Sequence, residues 1–118
     1  MRAVLVALLA LGCTTSDPPD PPPCPALDAS PCQTPVPSYT TDVAPILDRR
    51  CNETCHAPGV GPWPLTDWGD VKDWQSIVNC SISQGTMPPP GNEAGSGDLT
   101  PDERATVLDW LACGAPNN

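Results

Sequence analysis

The sequence predicts a small all-α domain with long loops, carried behind a disordered Pro-rich spacer. Three observations predict it. Apolar residues recur at spacings of three and four in three stretches after Ser38, no stretch alternates with period two, and nine of the 24 residues in 14–37 are proline. The 118 residues include 18 Pro, 9 Gly, 7 Cys, 4 Trp, one Tyr and no Phe. That is too little large apolar surface for a core made by burial alone, so cross-links or a bound group are expected to help. Fourteen acidic against five basic residues, a net charge of −9, exclude a polybasic nucleic-acid binder, and the length leaves room for one domain.

Residues 1–12 read as an export signal. Arg2 precedes a wholly apolar run over 3–11, which is shorter than the roughly 20 residues a membrane-spanning helix needs. Gly12 and Cys13 follow, and together with the run they resemble the lipobox of bacterial lipoproteins. That resemblance implies cleavage before Cys13, lipid on Cys13, and attachment to a membrane through that lipid. An ordinary secretory signal is the alternative. Either way the chain is expected in the cell envelope, periplasmic or at the outer surface, where thiols oxidise.

Residues 13–37 read as the lipidated Cys and a linker. With almost no large apolar residue, this segment is expected to be extended and polyproline-like, holding the domain away from the membrane. Cys24 and Cys32 sit inside it, and a local disulfide between them is expected.

The domain proper is expected over 38–118. A first short helix, 43–50, takes Asp42 as its N-cap and tolerates Pro45 in its first turn; it offers Val43, Ile46 and Leu47 to a core and delivers the chain to Cys51. A second begins near Asp67 or Asp70, carries Val71, Trp74, Val78 and Ile82 on one face, and ends at Gly85. The third has the clearest boundaries. Thr100, Pro101, Asp102 and Glu103 supply an N-cap, a first-turn proline and a capping-box glutamate; Val107, Leu108 and Leu111 form a face with Trp110 at its edge, and Gly114 with Pro116 stops the helix.

Chemistry concentrates in Cys51-Asn-Glu-Thr-Cys55-His56. Two thiols followed at once by an imidazole suit covalent haem attachment, each thiol adding to one vinyl group and the histidine becoming an axial ligand. Three residues separate the cysteines, one more than is usual. A Cys51–Cys55 disulfide beside a surface His56 is the other reading. Apart from Met1 the chain has one methionine and one histidine, and Met87 lies in Gly85-Thr86-Met87-Pro88-Pro89-Pro90. A thioether is a soft neutral ligand for a second axial position, and the prolines stiffen its loop. Gap-filling is the plainer role for Met87.

Taken in order, Tyr39, Asp42-Val43-Ala44-Pro45-Ile46-Leu47, Cys51…Cys55-His56, Met87-Pro88-Pro89, Leu99-Thr100, Trp110 and Gly114-Ala115-Pro116 resemble a c-type cytochrome domain of exported bacterial proteins, over residues 39–116. The resemblance implies a cytochrome c-like helical fold, one haem c bound covalently by Cys51 and Cys55, His56 as proximal ligand and Met87 as distal ligand. It implies electron transfer with redox partner proteins outside the cytoplasm.

Cys80 and Cys113 remain, each near the C-terminal end of an expected helix, and a disulfide between them is expected, with two free thiols as the alternative. A loop carrying Val60, Trp63 and Leu65 is expected to wrap one haem edge, while Trp68 and Trp74 are expected in the core. No Ser/His/Asp set, carboxylate pair or phosphate loop stands out, so the protein is expected not to be an enzyme. Two other functions compete: a non-redox, disulfide-stapled lipoprotein that binds a protein or ligand, and thiol–disulfide exchange, for which the usual CxxC and a βαβ pattern are missing.

Overall fold

The structure is a computed structural model that describes residues 31–59, 63–91 and 98–118. The described residues are helical, with no strand among them, as an all-α domain requires. Cys13, Cys24, Val60 and the export signal lie outside the described residues.

The first helical stretch is longer than expected and wound differently. It runs without interruption through a π-wound segment Tyr39–Val43, a central turn α1, Ala44–Leu47, and a second π-wound segment Asp48–His56. Its N-cap is Ser38, not Asp42. Ser38 is extended, its Oγ accepts from the Thr41 N–H, and the Asp42 carboxylate accepts from the Ser38 N–H at 2.8 Å, so Asp42 supports the cap from within the first turn. Tertiary contact accounts for the earlier start: Tyr39 stacks at 5.5 Å on Trp110 of the last helix. Because the helix starts earlier than expected, Pro45 falls inside the continuous stretch, at the start of α1, and gives no N–H to the preceding turn; Val43, Ile46 and Leu47 are buried as expected.

The expected second helix is two. Asp67 caps α2, Trp68–Asp73, by accepting the Asp70 N–H at 2.9 Å, and α3 spans Gln75–Ser83. The break falls at Trp74, whose backbone leaves helical geometry. Val71 and Ile82 keep their core positions, but Trp74 is turned outward and half-exposed instead of joining the core. Trp68 is partly buried against the core and donates its indole N–H to the Ala115 carbonyl. At the end of α3, Gly85 takes φ +69°, the left-handed turn that lets the chain fold back.

Helix α4, Pro101–Ala112, begins with the expected capping box: the Thr100 Oγ1 accepts the Glu103 N–H, and the Glu103 carboxylate accepts the Thr100 N–H at 2.8 Å. The same carboxylate also binds Arg49 at 2.6 Å and Arg50 at 3.1 Å, tying the start of α4 to the segment that carries Cys51. Trp110 was expected at the edge of the apolar face, yet it is wholly buried. Tyr39 covers its ring, and its N–H is satisfied by the Pro116 carbonyl at 2.9 Å. Around it the core joins Val43, Leu47, Val71, Val107 and Leu111. Gly114, φ +83°, turns the chain after α4.

Cysteine pairing differs from both expectations. Cys32 is bonded to Cys113 across 81 residues of sequence, replacing the expected Cys24–Cys32 and Cys80–Cys113 pairs. Cys80 is also disulfide-bonded, but Cys113 is not its partner. The reason lies at the other end of the chain. Asn118 accepts hydrogen bonds from Ser38, Tyr39 and Thr40 and donates to the Pro37 carbonyl, which draws the segment before the first helix alongside the end of α4. Residues 32–37, expected to belong to the spacer, are therefore fixed to the domain. Among the described residues no helix is long and apolar enough to cross a membrane.

Candidate functional site

The second π-wound segment carries Cys51, Cys55 and His56. An α-helix closes its hydrogen bonds four residues back, so residues three and four on lie above a given side chain. A π-helix closes five back, and that position moves out by about one residue. Cys55 and His56, four and five after Cys51, thus occupy in the wider turn the places that three and four would occupy in an α-helix. The extra residue between the cysteines is taken up by the winding.

The chain then loops back across this turn. His56 donates from Nδ1–H to the Trp63 carbonyl at 2.7 Å, since a carbonyl can only accept; in the neutral ring this is the tautomer whose lone pair sits on Nε2. The Leu65 N–H donates to the His56 carbonyl at 3.2 Å, and the buried Asn52 amide donates to the Leu65 carbonyl at 2.7 Å. The 63–65 segment is held along its length.

Met87 arrives from the far side. Past Gly85 the chain turns back on the last turn of α3, where the Ser81 carbonyl accepts from the Thr86 N–H, the Thr86 hydroxyl and the Met87 N–H. The turn sets Met87 and Pro88 facing α3. Arg104 of α4 donates to the Ser83 carbonyl at 2.8 Å and keeps the end of α3 in register with α4.

Between these parts lies an open apolar cleft with a cavity volume of about 90 Å³, smaller than the roughly 300–1,000 Å³ usual for enclosed ligand and cofactor pockets. Cys51, His56 and Met87 all line it, with Trp63, Ile77 and Leu99 among the walls. Trp63 and Trp74 meet at 5.4 Å along one wall. Met87 remains 42 % exposed, so it fills no gap in the core.

Cys51 and Cys55 are both free, which goes against the reading that joins them in a disulfide. Burial pushes the Cys51 thiol up to about 11, with a further push from the neighbouring Cys55; Cys51 is therefore protonated at neutral pH and is not a low-pKa exchange thiol. Cys55 is exposed and is not part of the cleft wall. Among the described residues no three His, Cys, Asp or Glu side chains could hold a bare metal ion. One imidazole and one thioether make two donors, and an iron held by them needs a macrocycle for the rest.

Sequence reasoning placed Trp63 and Leu65 at this site, and they line it. It missed Ile77, Ser81 and Asn52. Ile77 stands beside Val78 and widens the apolar stripe of α3, a signal present in the sequence. Ser81 acts through its backbone carbonyl and leaves no trace in residue identity. No protein-family model, curated protein or solved structure matches the chain.

Proposed function

We propose that the protein is an extracytoplasmic electron carrier that binds one covalent haem c, with Cys51 and Cys55 as attachment thiols and His56 and Met87 as axial ligands. One observation carries the reading. Three segments remote in sequence, at 51–56, 63–65 and 81–88, converge on one apolar cleft that places an imidazole with a bare Nε2, a thioether and a thiol along its walls. The donor set suits haem: an imidazole and a thioether that could take the iron, the Cys51 thiol in the cleft wall for one thioether, and apolar walls for the macrocycle, with Cys55 carried four residues on along the same helical segment, outside the cleft wall. When bound, haem supplies one-electron chemistry at its iron.

The chain's own residues do the rest. The Trp63 carbonyl holds the His56 proton on Nδ1 and orients the ring. The Ser81 carbonyl and the prolines hold the Met87 loop. Trp63, Ile77 and Leu99 give the cleft its apolar walls. Were His56 and Met87 both to hold the iron, no position on it would be left for substrate, which favours a carrier over an enzyme. The lipid on Cys13 would tether it to a membrane, and its partners are redox proteins outside the cytoplasm. The competing disulfide-stapled binding module calls for an oxidised Cys51–Cys55 pair, and the free thiols weigh against it.

The test is a pyridine haemochrome spectrum with a denaturing haem stain, on full-length protein expressed in a host that matures c-type cytochromes. Haem that survives denaturation supports the reading, and the band position separates two thioethers from one. Absence of haem under those conditions removes it.

A further inference from the structure

We infer that Asn52 is a positioning residue for His56: its side-chain amide fixes the 63–65 segment where the Trp63 carbonyl accepts from His56 Nδ1–H, which favours the neutral tautomer with its lone pair on Nε2. The assignment of Nε2 as a ligand atom rests on the proposed function; the hydrogen-bond geometry does not.

Asn52 is the one polar side chain among the described residues that is buried, at 6 % exposure. Its Nδ2 uses both hydrogens, donating to the Leu65 carbonyl at 2.7 Å and to Asp48 Oδ1 at 3.0 Å. Its Oδ1 is buried without a partner. Burial of an amide with an unmet acceptor is unfavourable, and the two bonds from Nδ2 are what the buried side chain gains in return.

What the amide does is geometric. Asp48, Asn52 and His56 stand four residues apart, close to one turn of the π-wound segment, and so share a face. Asn52 and His56 both reach from that face to the 63–65 segment. Leu65 is gripped through both backbone groups, its N–H by the His56 carbonyl and its C=O by Asn52, and Trp63 lies two residues earlier. Asp48, exposed at the far end of the face, orients the amide. Without Asn52 the Leu65 carbonyl loses its partner, and the strand of chain that presents the Trp63 carbonyl is held by one bond instead of two.

The chain has one histidine, so its tautomer can be read without ambiguity from long-range ¹H–¹⁵N NMR of the ¹⁵N-labelled, haem-free full chain. In the parent protein the Nδ1–H tautomer dominates. In Asn52→Leu the ratio moves about tenfold toward Nε2–H, with far-UV circular dichroism and Trp fluorescence unchanged. Asp48→Ala moves it in the same direction by less. An unchanged ratio in folded Asn52→Leu overturns the proposal; should that variant fail to fold, Asn52→Asp, which keeps the size but cannot donate, decides on the same ratio. A parent chain that carries no covalent haem in the maturing host removes the proposed function and leaves this result standing. A haem-loaded parent with an unmoved tautomer in the variant removes this inference alone.

Discussion

Replacing Glu103 with Gln separates two tasks of one side chain. The glutamine oxygen can still accept the Thr100 N–H and keep the capping box, but it cannot pair with Arg49 and Arg50. Burial raises the Glu103 pKa, and the bonds from the Thr100 N–H, Arg49 and Arg50 outweigh it, bringing the carboxyl from 4.5 down to about 2. Taken without solvent screening, that difference corresponds to about 3 kcal/mol. Glu103 is 13 % exposed but Arg49 is 53 % exposed, so much of its share is screened. We expect Glu103→Gln to cost about 1–2 kcal/mol at pH 7. Because the folded-state pKa lies below the unfolded one, this stabilisation is complete above about pH 4.5 and is lost as the pH falls through about 2. Urea unfolding followed by Trp fluorescence, repeated from pH 7 to pH 2, measures both the size and the window. A cost that stays constant down to pH 2 would refute the reasoning, because the loss would then come from the cap or from packing.

The haem-site predictions are spectroscopic. Met87→Ala should keep covalent haem while opening the sixth position, turning the iron high-spin or ligand-binding and lowering the reduction potential; an unchanged spectrum takes Met87 out of the site. His56→Ala should be harsher and lose most attached haem, scored by stain intensity on a denaturing gel. Cys113→Ser should destabilise the domain by about 4 kcal/mol, the entropy of closing a loop of this length; peptide mapping without reduction should recover Cys32 joined to Cys113, and recovery of Cys80 joined to Cys113 would contradict the fold. Leu47→Ala, at a site only 1 % exposed, should cost about 2–5 kcal/mol in the same urea assay.

Local chemistry was legible. The capping box at Thr100 and Glu103, the first-turn Pro101, the left-handed glycines after α3 and α4, and the apolar positions of the first helix follow from residues within one or two turns of each other, and the structure places them as read. The cysteines, His56 and Met87 stood out for the same reason: thiols beside an imidazole, and a thioether in a Pro-rich turn, are rare chemical types at recognisable spacings.

Other features needed the whole fold. A disulfide records which thiols meet in space, and the Asn118 contacts that bring Cys32 to Cys113 join residues about 80 apart. Trp110 looked peripheral because the ring that covers it, Tyr39, lies at the other end of the domain. The π winding of Asp48–His56 left no mark in the apolar periodicity, and the buried Asn52 bonds to the 63–65 segment, which no periodicity in the sequence could place. The sequence by itself determined which side chains could do chemistry and how the last helix begins. Only the tertiary structure decided which of them meet, because propensity and capping act over a few residues, whereas burial, cross-linking and hydrogen-bond closure depend on distances that the folded chain alone sets.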